Sequence, residues 1–197
     1  MYPKARIDAL TDGIFAVAMT ILVLDLRLPD EFHPSDAAAL AHALRQLWPK
    51  VFPYVLSFYV LGNSWLSIIR LRSRVEFVDR RYAVWWLFHL LLATCLPFST
   101  TVVGRFARLA PSVWLYAANM AALAAVGYRL VVLSPDLESG EQARDRKISL
   151  LVLIGTSILC IGLTTISPGK ALWVYVLNVA ASPLARWIGS RRGARSV

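Results

Sequence analysis

The chain has 197 residues, of which 57% are hydrophobic, and its mean hydropathy is +0.56. This composition is too apolar for an ordinary soluble domain and is typical of an integral membrane protein. The net charge of +9 would suit a nucleic-acid-binding protein, but the basic residues stand in short clusters between apolar runs, as membrane topology requires, and we expect no nucleic-acid partner.

Six apolar segments are long enough to cross a bilayer, which takes about 20 helical residues. Their approximate bounds are 8–28, 49–71, 82–104, 112–134, 148–167 and 170–189. An interfacial helix is also predicted over residues 35–48, with Ser35 as its N-cap, leading into the second span. The sequence shows no internal repeat and leaves no room for a soluble domain between the segments. We therefore expect residues 1–197 to form one transmembrane domain, an all-α bundle of six helices.

Lys and Arg are distributed unequally between the two sides of these spans. The N-terminus, the loops at 70–81 and 135–147 and the C-terminal tail carry 14 of them, and the other side carries six. Because basic residues accumulate on the cytoplasmic side, both termini are predicted to be cytoplasmic in a multi-pass protein of the inner (plasma) membrane. The first span is followed by no small-residue cleavage site, so we expect it to remain in the mature protein.

The first span carries carboxylates close to the hydrocarbon region. Such groups usually mark a water-facing surface or a functional site. In RIDALTDGIFAVAMTILVLDL, residues 6–26, spacings of three and four place a small, then hydroxylated, then apolar set of residues on one narrow face. This stripe consists of Gly13, Val17, Thr20 and Leu24. Phe15, Met19 and Leu22 form the bulkiest side of the helix, which suits packing against other spans or lipid.

Periodicity alone favours an ordinary structural explanation of this stripe. Thr20 would then donate a hydrogen bond to the Ala16 carbonyl, and Gly13 would allow close helix packing. Asp8 and Asp12 could pair with Arg6 or with arginines of the 70–81 loop.

The same stretch resembles the first helix of the bacterial and archaeal potassium channels related to transmembrane protein 175, the lysosomal potassium channel. The hallmark of that family is Arg-x-x-x-Phe-Ser-Asp before an apolar helix that contains a Thr. Here the motif reads Arg6, Leu10, Thr11, Asp12, so that Leu and Thr replace the Phe and the Ser. The stretches YVLGNSWL (59–66) and LPFSTTVVGRF (96–106) extend the resemblance to the second and third helices.

The resemblance implies a function for the stripe. It implies that the first helix of each subunit lines a pore, with Val17 and Leu24 at an apolar constriction, Thr20 as the layer that favours potassium and Gly13 as a further pore-lining residue. Leu10 and Thr11 belong to the structural motif, and the Arg6–Asp12 pair is expected to bond to neighbouring helices rather than to ions. Because one first helix cannot enclose a pore, and the chain has one repeat, the resemblance implies a homotetramer in membrane lipid with potassium as the permeant ion.

Several alternatives remain open. Asp25 is a candidate residue of the outer mouth that would attract cations, or else a partner for Arg27. A secondary transporter or proton-coupled carrier would use the intramembrane carboxylates, although no inverted repeat or pair of broken helices appears. A membrane scaffold would give the Thr20 stripe no role, and no catalytic motif indicates an enzyme.

The remaining reactive side chains predict neither a cofactor nor a metal site. His33, His42 and His89 are scattered along the chain; the first two are expected to be exposed and His89 to bond within its own helix. Cys95 and Cys160 lie in apolar stretches, without zinc spacing, and are interpreted as buried thiols.

Overall fold

The computed structural model of the protein describes residues 1–29, 31–70, 76–134 and 141–178. Almost all of these residues are helical. Helix α1 spans Lys4–Ile21 and continues as a 3-10 turn, Leu22–Asp25; it is followed by α2 (Ala37–Gln46), α3 (Trp48–Arg70), α4 (Arg80–Phe106), α5 (Ala110–Leu133), α6 (Glu141–Leu163), α7 (Pro168–Ala171) and a second 3-10 turn, Leu172–Tyr175.

Five helices among the described residues are long and apolar enough to cross a membrane. They correspond to the first five predicted spans, α1 with its 3-10 turn and then α3, α4, α5 and α6, which confirms the all-α membrane fold. The sixth predicted span, 170–189, lies largely outside the described residues, and the six-span topology therefore stays a prediction.

A small antiparallel strand pair was not predicted. Strand β1 (Tyr2–Pro3) pairs with β2 (Phe77–Val78), and the backbone N–H of Lys4 donates to the Glu76 carbonyl at 2.9 Å. Each strand is two residues long, too short for a periodic signal in the sequence. The pair ties the chain before α1 to the chain before α4, at the same end of the bundle.

The short helix α2 confirms the helical prediction for residues 35–48 but corrects its start. Its N-cap is Asp36, not Ser35, because the Asp36 carboxylate accepts a hydrogen bond from the Ala39 N–H at 2.7 Å. The helix ends before Trp48, where α3 begins, so α2 and α3 are separate helices.

The core lies around α4 and α5, which pack along each other, with α1 and α3 against α4 and α6 against α5. Buried hydroxyl groups link these helices. Ser57 Oγ on α3 lies 2.7 Å from Thr100 Oγ1 on α4 and 2.9 Å from the Tyr116 hydroxyl on α5, and Asn119 Nδ2 donates to Ser99 Oγ at 3.2 Å. Such bonds satisfy polar groups that a hydrocarbon environment would leave unpaired.

His89 belongs to this interhelical packing, and the expectation that it bonds within its own helix is wrong. The ring is buried on α4, and Nε2 lies 3.4 Å from Ser64 Oγ on α3. Helix α5 passes close to the ring at Gly127, where an added Cβ would lie 3.5 Å from His89 Cε1. His33 and His42 are exposed, and Cys160 is buried as expected, whereas Cys95 is exposed.

Candidate functional site

Helix α1 has one buried face and one exposed face. Phe15, Ala18 and Leu22 are buried against the other helices, and Met19 packs beside them, in agreement with the bulky side predicted from the sequence. The opposite face carries all four residues of the predicted stripe, Gly13, Val17, Thr20 and Leu24, and each of them is exposed in the subunit.

The stripe lies at the middle of the exposed face rather than at its edge. Val17 and Leu24 are 56% and 66% exposed, while the other large apolar residues on this face are 45% to 48% exposed; these are Leu10, Ile21 and Val23. Gly13 has open space around it, because an added Cβ would meet no atom within 4 Å. Close packing against another described helix of the chain therefore does not explain why residue 13 is a glycine.

The Thr20 hydroxyl donates a hydrogen bond to the helix backbone. Its acceptor is the Val17 carbonyl, at 2.9 Å, not the Ala16 carbonyl expected from the sequence. Because the hydroxyl hydrogen is used in this bond, the lone pairs of the exposed oxygen are directed away from the helix. Thr20 can therefore be bonded to its own backbone and still offer an acceptor to a cation.

The motif Asp12 contacts the second long helix. Asp12 Oδ1 accepts a hydrogen bond from Trp65 Nε1 on α3 at 2.9 Å. Arg6, by contrast, is exposed and forms no hydrogen bond or ion pair with the residues that the structure describes. Asp8 is paired with Lys4, one helical turn earlier, at 2.7 Å, and not with Arg6 or with the described residues of the 70–81 loop.

The motif Thr11 connects α1 to α4. Its hydroxyl is buried, accepts a hydrogen bond from Trp86 Nε1 at 2.7 Å and donates to the Ile7 carbonyl at 2.7 Å. Trp86 lies near the start of α4, where the sequence indicates only an interfacial aromatic residue. Together, Thr11 and Asp12 attach the first turns of α1 to two different helices through two indole N–H groups; we call this pair of contacts the indole clamp.

Asp25, at the other end of α1, is the partner of Arg105. The Arg105 Nε and Nη2 atoms donate to Asp25 Oδ1 at 3.1 and 2.8 Å, joining the end of the 3-10 turn to the end of α4. Charge at Asp25 is therefore partly neutralised within the subunit, and its role at an outer mouth stays a prediction.

Leu10 lies in an apolar groove between α1 and α4, beside the stripe. The groove encloses about 660 Å³. Its lining includes Gly13 and Val17 from α1 and Pro97 and Phe98 from α4. Phe98 is among the more exposed large residues of the subunit. An apolar surface of this kind, running along the stripe, is suited to contact with lipid or protein rather than with water.

The fold and this site define a membrane-embedded, all-α chain whose first helix has an exposed, mixed polar and apolar face. Residues 6–97 match the model of a known family, described as the endosomal/lysosomal potassium channel TMEM175. This region contains the motif, the stripe and both tryptophans of the indole clamp. Over this region, just under half of its length, the chain is similar to the TMEM175 family.

The chain is also similar to several curated proteins. It is 34% identical over 108 residues to a potassium channel of Streptomyces collinus, covering 55% of this chain and 51% of that protein. It is also 34% identical over 130 residues to a potassium channel of Chamaesiphon minutus, covering 64% and 63%. The human endosomal/lysosomal proton channel TMEM175 is 27% identical over 110 residues, which cover 53% of this chain and 22% of the human protein. The alignments thus span about half to just under two thirds of the two bacterial relatives.

Solved structures share the fold over most of the chain. The crystal structure of a lysosomal potassium-selective channel TMEM175 homologue from Chamaesiphon minutus aligns with a TM-score of 0.75 at 26% identity, over 89% of this chain and 94% of that one. The potassium channel MtTMEM175, as a variant in complex with a nanobody fusion, aligns with a TM-score of 0.56 at 16% identity, which is a likeness of fold. These relatives are ion channels, not enzymes.

Proposed function

We propose that the chain is the subunit of a potassium-permeable cation channel that modestly prefers potassium over sodium. Two bacterial relatives at 34% identity are named potassium channels, and the homologue with the same fold is described as potassium-selective. The pore is lined by α1 of each subunit, through Gly13, Val17, Thr20 and Leu24.

The observation that carries this proposal is the exposure of the stripe. A helix that belongs to a folded bundle and still leaves one face uncovered must present that face to lipid, water or another subunit. Lipid is a poor partner for a face that contains a glycine and an exposed Thr oxygen, whereas a narrow aqueous path suits both. Val17 and Leu24 have the highest exposure among the large apolar residues of α1 and its 3-10 turn, as expected for residues nearest a central axis.

The chemistry of the stripe suits a modest filter. Symmetry-related copies of Val17 form an apolar ring, which impedes ions by its bulk and by dewetting. The Thr20 layer, three residues further along the helix, offers hydroxyl oxygens to a largely hydrated cation. A filter of backbone carbonyls would remove more of the hydration shell, and nothing like its TVGYG sequence occurs in this chain. Selectivity based on Thr20 should therefore be modest.

The assembly that encloses such a pore is a homotetramer in the inner membrane, with both termini cytoplasmic. A single α1 cannot surround an ion, so several copies must meet about an axis. The apolar groove between α1 and α4 supports this arrangement, because it lies directly beside the stripe and gives a neighbouring subunit a surface to pack on.

Carrier function is the less favoured alternative. A proton-coupled carrier needs a carboxylate that can exchange its proton or ion during transport. Asp8 is paired with Lys4, Asp12 accepts from Trp65, and Asp25 is paired with Arg105. Each carboxylate of α1 and its 3-10 turn thus has a structural partner.

Single-channel recording of the purified protein in a planar bilayer tests the proposal. Unitary current steps, with a reversal potential under potassium/sodium bi-ionic conditions that indicates a modest potassium preference, are the expected result. Transport without resolvable steps, at carrier turnover rates, would contradict a channel.

A further inference from the structure

A second cavity lies at the end of the bundle where α1 finishes. It encloses about 840 Å³ between α2, the segment that follows α1, the start of α3 and the end of α4. None of the four stripe residues lines it.

The polar part of this cavity is cationic. Among the described residues that line it, Arg27, Lys50 and Arg105 are cationic, and Asp36 supplies one carboxylate. That carboxylate caps α2 through the Ala39 N–H, so it is already occupied by a structural bond.

Lys50 and Arg105 have donors left over. Lys50 forms no ion pair or side-chain hydrogen bond with the described part of the chain, and the stem of its side chain lies against α4 at Gly104, 3.6 Å from the position of an added Cβ. Arg105 donates hydrogen bonds from Nε and Nη2 to Asp25. Its Nη1 has no partner among the described residues. An ammonium group and a guanidinium group that line one cavity are suited to a phosphate group.

Apart from His42 and Gln46, the rest of the described lining is apolar. Leu28, Phe32, Ala43 and Leu47 contribute to its wall, and α2 presents Leu44 and Leu40 as exposed apolar side chains close by. Trp48, next to the cavity at the start of α3, is 72% exposed, which is typical of a residue at the level of the lipid headgroups. A ligand with a phosphate at one end and hydrocarbon at the other fits this lining better than a soluble anion does.

We propose that this cavity is a binding site for an anionic phospholipid, whose phosphate is bound by Lys50 and Arg105 and whose acyl chain packs against Phe32 and Leu47. Because Arg105 also bonds Asp25, the bound headgroup shares a guanidinium with the end of α1. Binding itself does not depend on ion conduction, and its test therefore fails or succeeds independently of the proposed function.

The test is a lipid titration of the purified full-length protein in detergent, read out by native mass spectrometry. Dioleoyl-phosphatidylglycerol and dioleoyl-phosphatidylcholine have the same acyl chains, but the choline headgroup adds a cation that the basic cavity disfavours. We expect wild type to bind phosphatidylglycerol about tenfold more tightly, the effect of roughly one charge-assisted hydrogen bond. Lys50→Gln should remove most of this preference, and Lys50→Arg should retain it.

Lys170→Gln is the matched control. Lys170 is an exposed lysine at the same end of the bundle that does not line the cavity, so its loss should leave the preference unchanged. Equal binding of the two lipids by wild type would overturn the proposal, and this measurement does not depend on whether a variant folds. An equal loss of the preference for phosphatidylglycerol in Lys50→Gln and Lys170→Gln would also overturn it. Displacement of phosphatidylglycerol by millimolar inorganic phosphate, with wild type stabilised by phosphate alone, would assign the cavity to a soluble anion and also overturn it.

Discussion

At the scale of single residues, the Thr20 oxygen is the group that we expect to discriminate between cations. Thr20→Ala removes it while keeping the helix, and the Val17 carbonyl that it bonded remains bonded within the helix. We predict that the potassium-to-sodium permeability ratio falls by about two- to fivefold while current persists, because a single layer of hydroxyls contributes a modest free-energy difference. Reversal potentials under bi-ionic conditions measure this ratio.

Thr20→Ser is the control for that experiment, since it keeps the hydroxyl and its bond to the backbone. It should preserve the ratio. An unchanged ratio in a normally assembled Thr20→Ala channel would leave Thr20 as a structural residue and remove the main support for the stripe as a filter.

Val17 should act on conductance more than on selectivity. Shortening an apolar ring widens it and makes it easier to wet, so Val17→Ala is predicted to raise unitary conductance, with a smaller change in the permeability ratio than Thr20→Ala causes. Ile158→Ala, on the exposed surface of α6, provides a comparison outside α1 and should leave conductance unchanged. Reduced or unaltered conductance in Val17→Ala would argue against a constriction at this residue.

The sequence predicts the stripe because helical periodicity is a local property, but it does not predict every bond that a residue makes. Thr20 bonds the Val17 carbonyl rather than that of Ala16, since both lie within reach of one hydroxyl and the rotamer decides between them. Ser35 and Asp36 are both good N-caps, and only the path of the chain selects Asp36.

At the scale of helices, the indole clamp positions α1 in the subunit. Asp12→Ala leaves the Trp65 N–H without its partner, and we predict a loss of about 1–3 kcal/mol in folding or assembly, with ion preference little changed. Size-exclusion chromatography and thermal unfolding in detergent measure the first effect, and reversal potentials measure the second. A well-assembled Asp12→Ala channel with altered selectivity would instead assign Asp12 to the ion path.

The clamp shows where prediction from the sequence ends. The Lys4–Asp8 pair has the i, i+4 spacing that indicates an ion pair, and it could have been found without a structure. Trp65 and Trp86 lie 53 and 75 residues from their partners, and no local pattern connects them. The same reasoning applies to Arg105 and Asp25, whose pairing depends on how α4 packs beside α1.

At the scale of the whole molecule, the distribution of basic residues predicts the orientation. Fourteen Lys and Arg on one side against six on the other favour cytoplasmic termini. Two reporters fused after Val197 test this orientation. A reporter that works only in the cytoplasm should be active, and a reporter that works only in the periplasm should be inactive. The reverse pattern of reporter activity would contradict the predicted cytoplasmic C-terminus, and with it either the orientation or the even number of spans.

The central claim is that the exposed face of α1 lines a water-filled ion path, and cysteine accessibility tests it most directly. In a Cys95→Ala background, which removes the exposed native thiol, single cysteines are placed at Thr20 and Leu24 and, as a control, at Ile158, which is 62% exposed on α6. We predict that a cationic, membrane-impermeant thiol reagent reduces potassium current in Thr20→Cys and Leu24→Cys and leaves Ile158→Cys unaffected. Full potassium current after treatment of both α1 variants, each assembled normally, would show that the stripe does not line the path and would contradict the account.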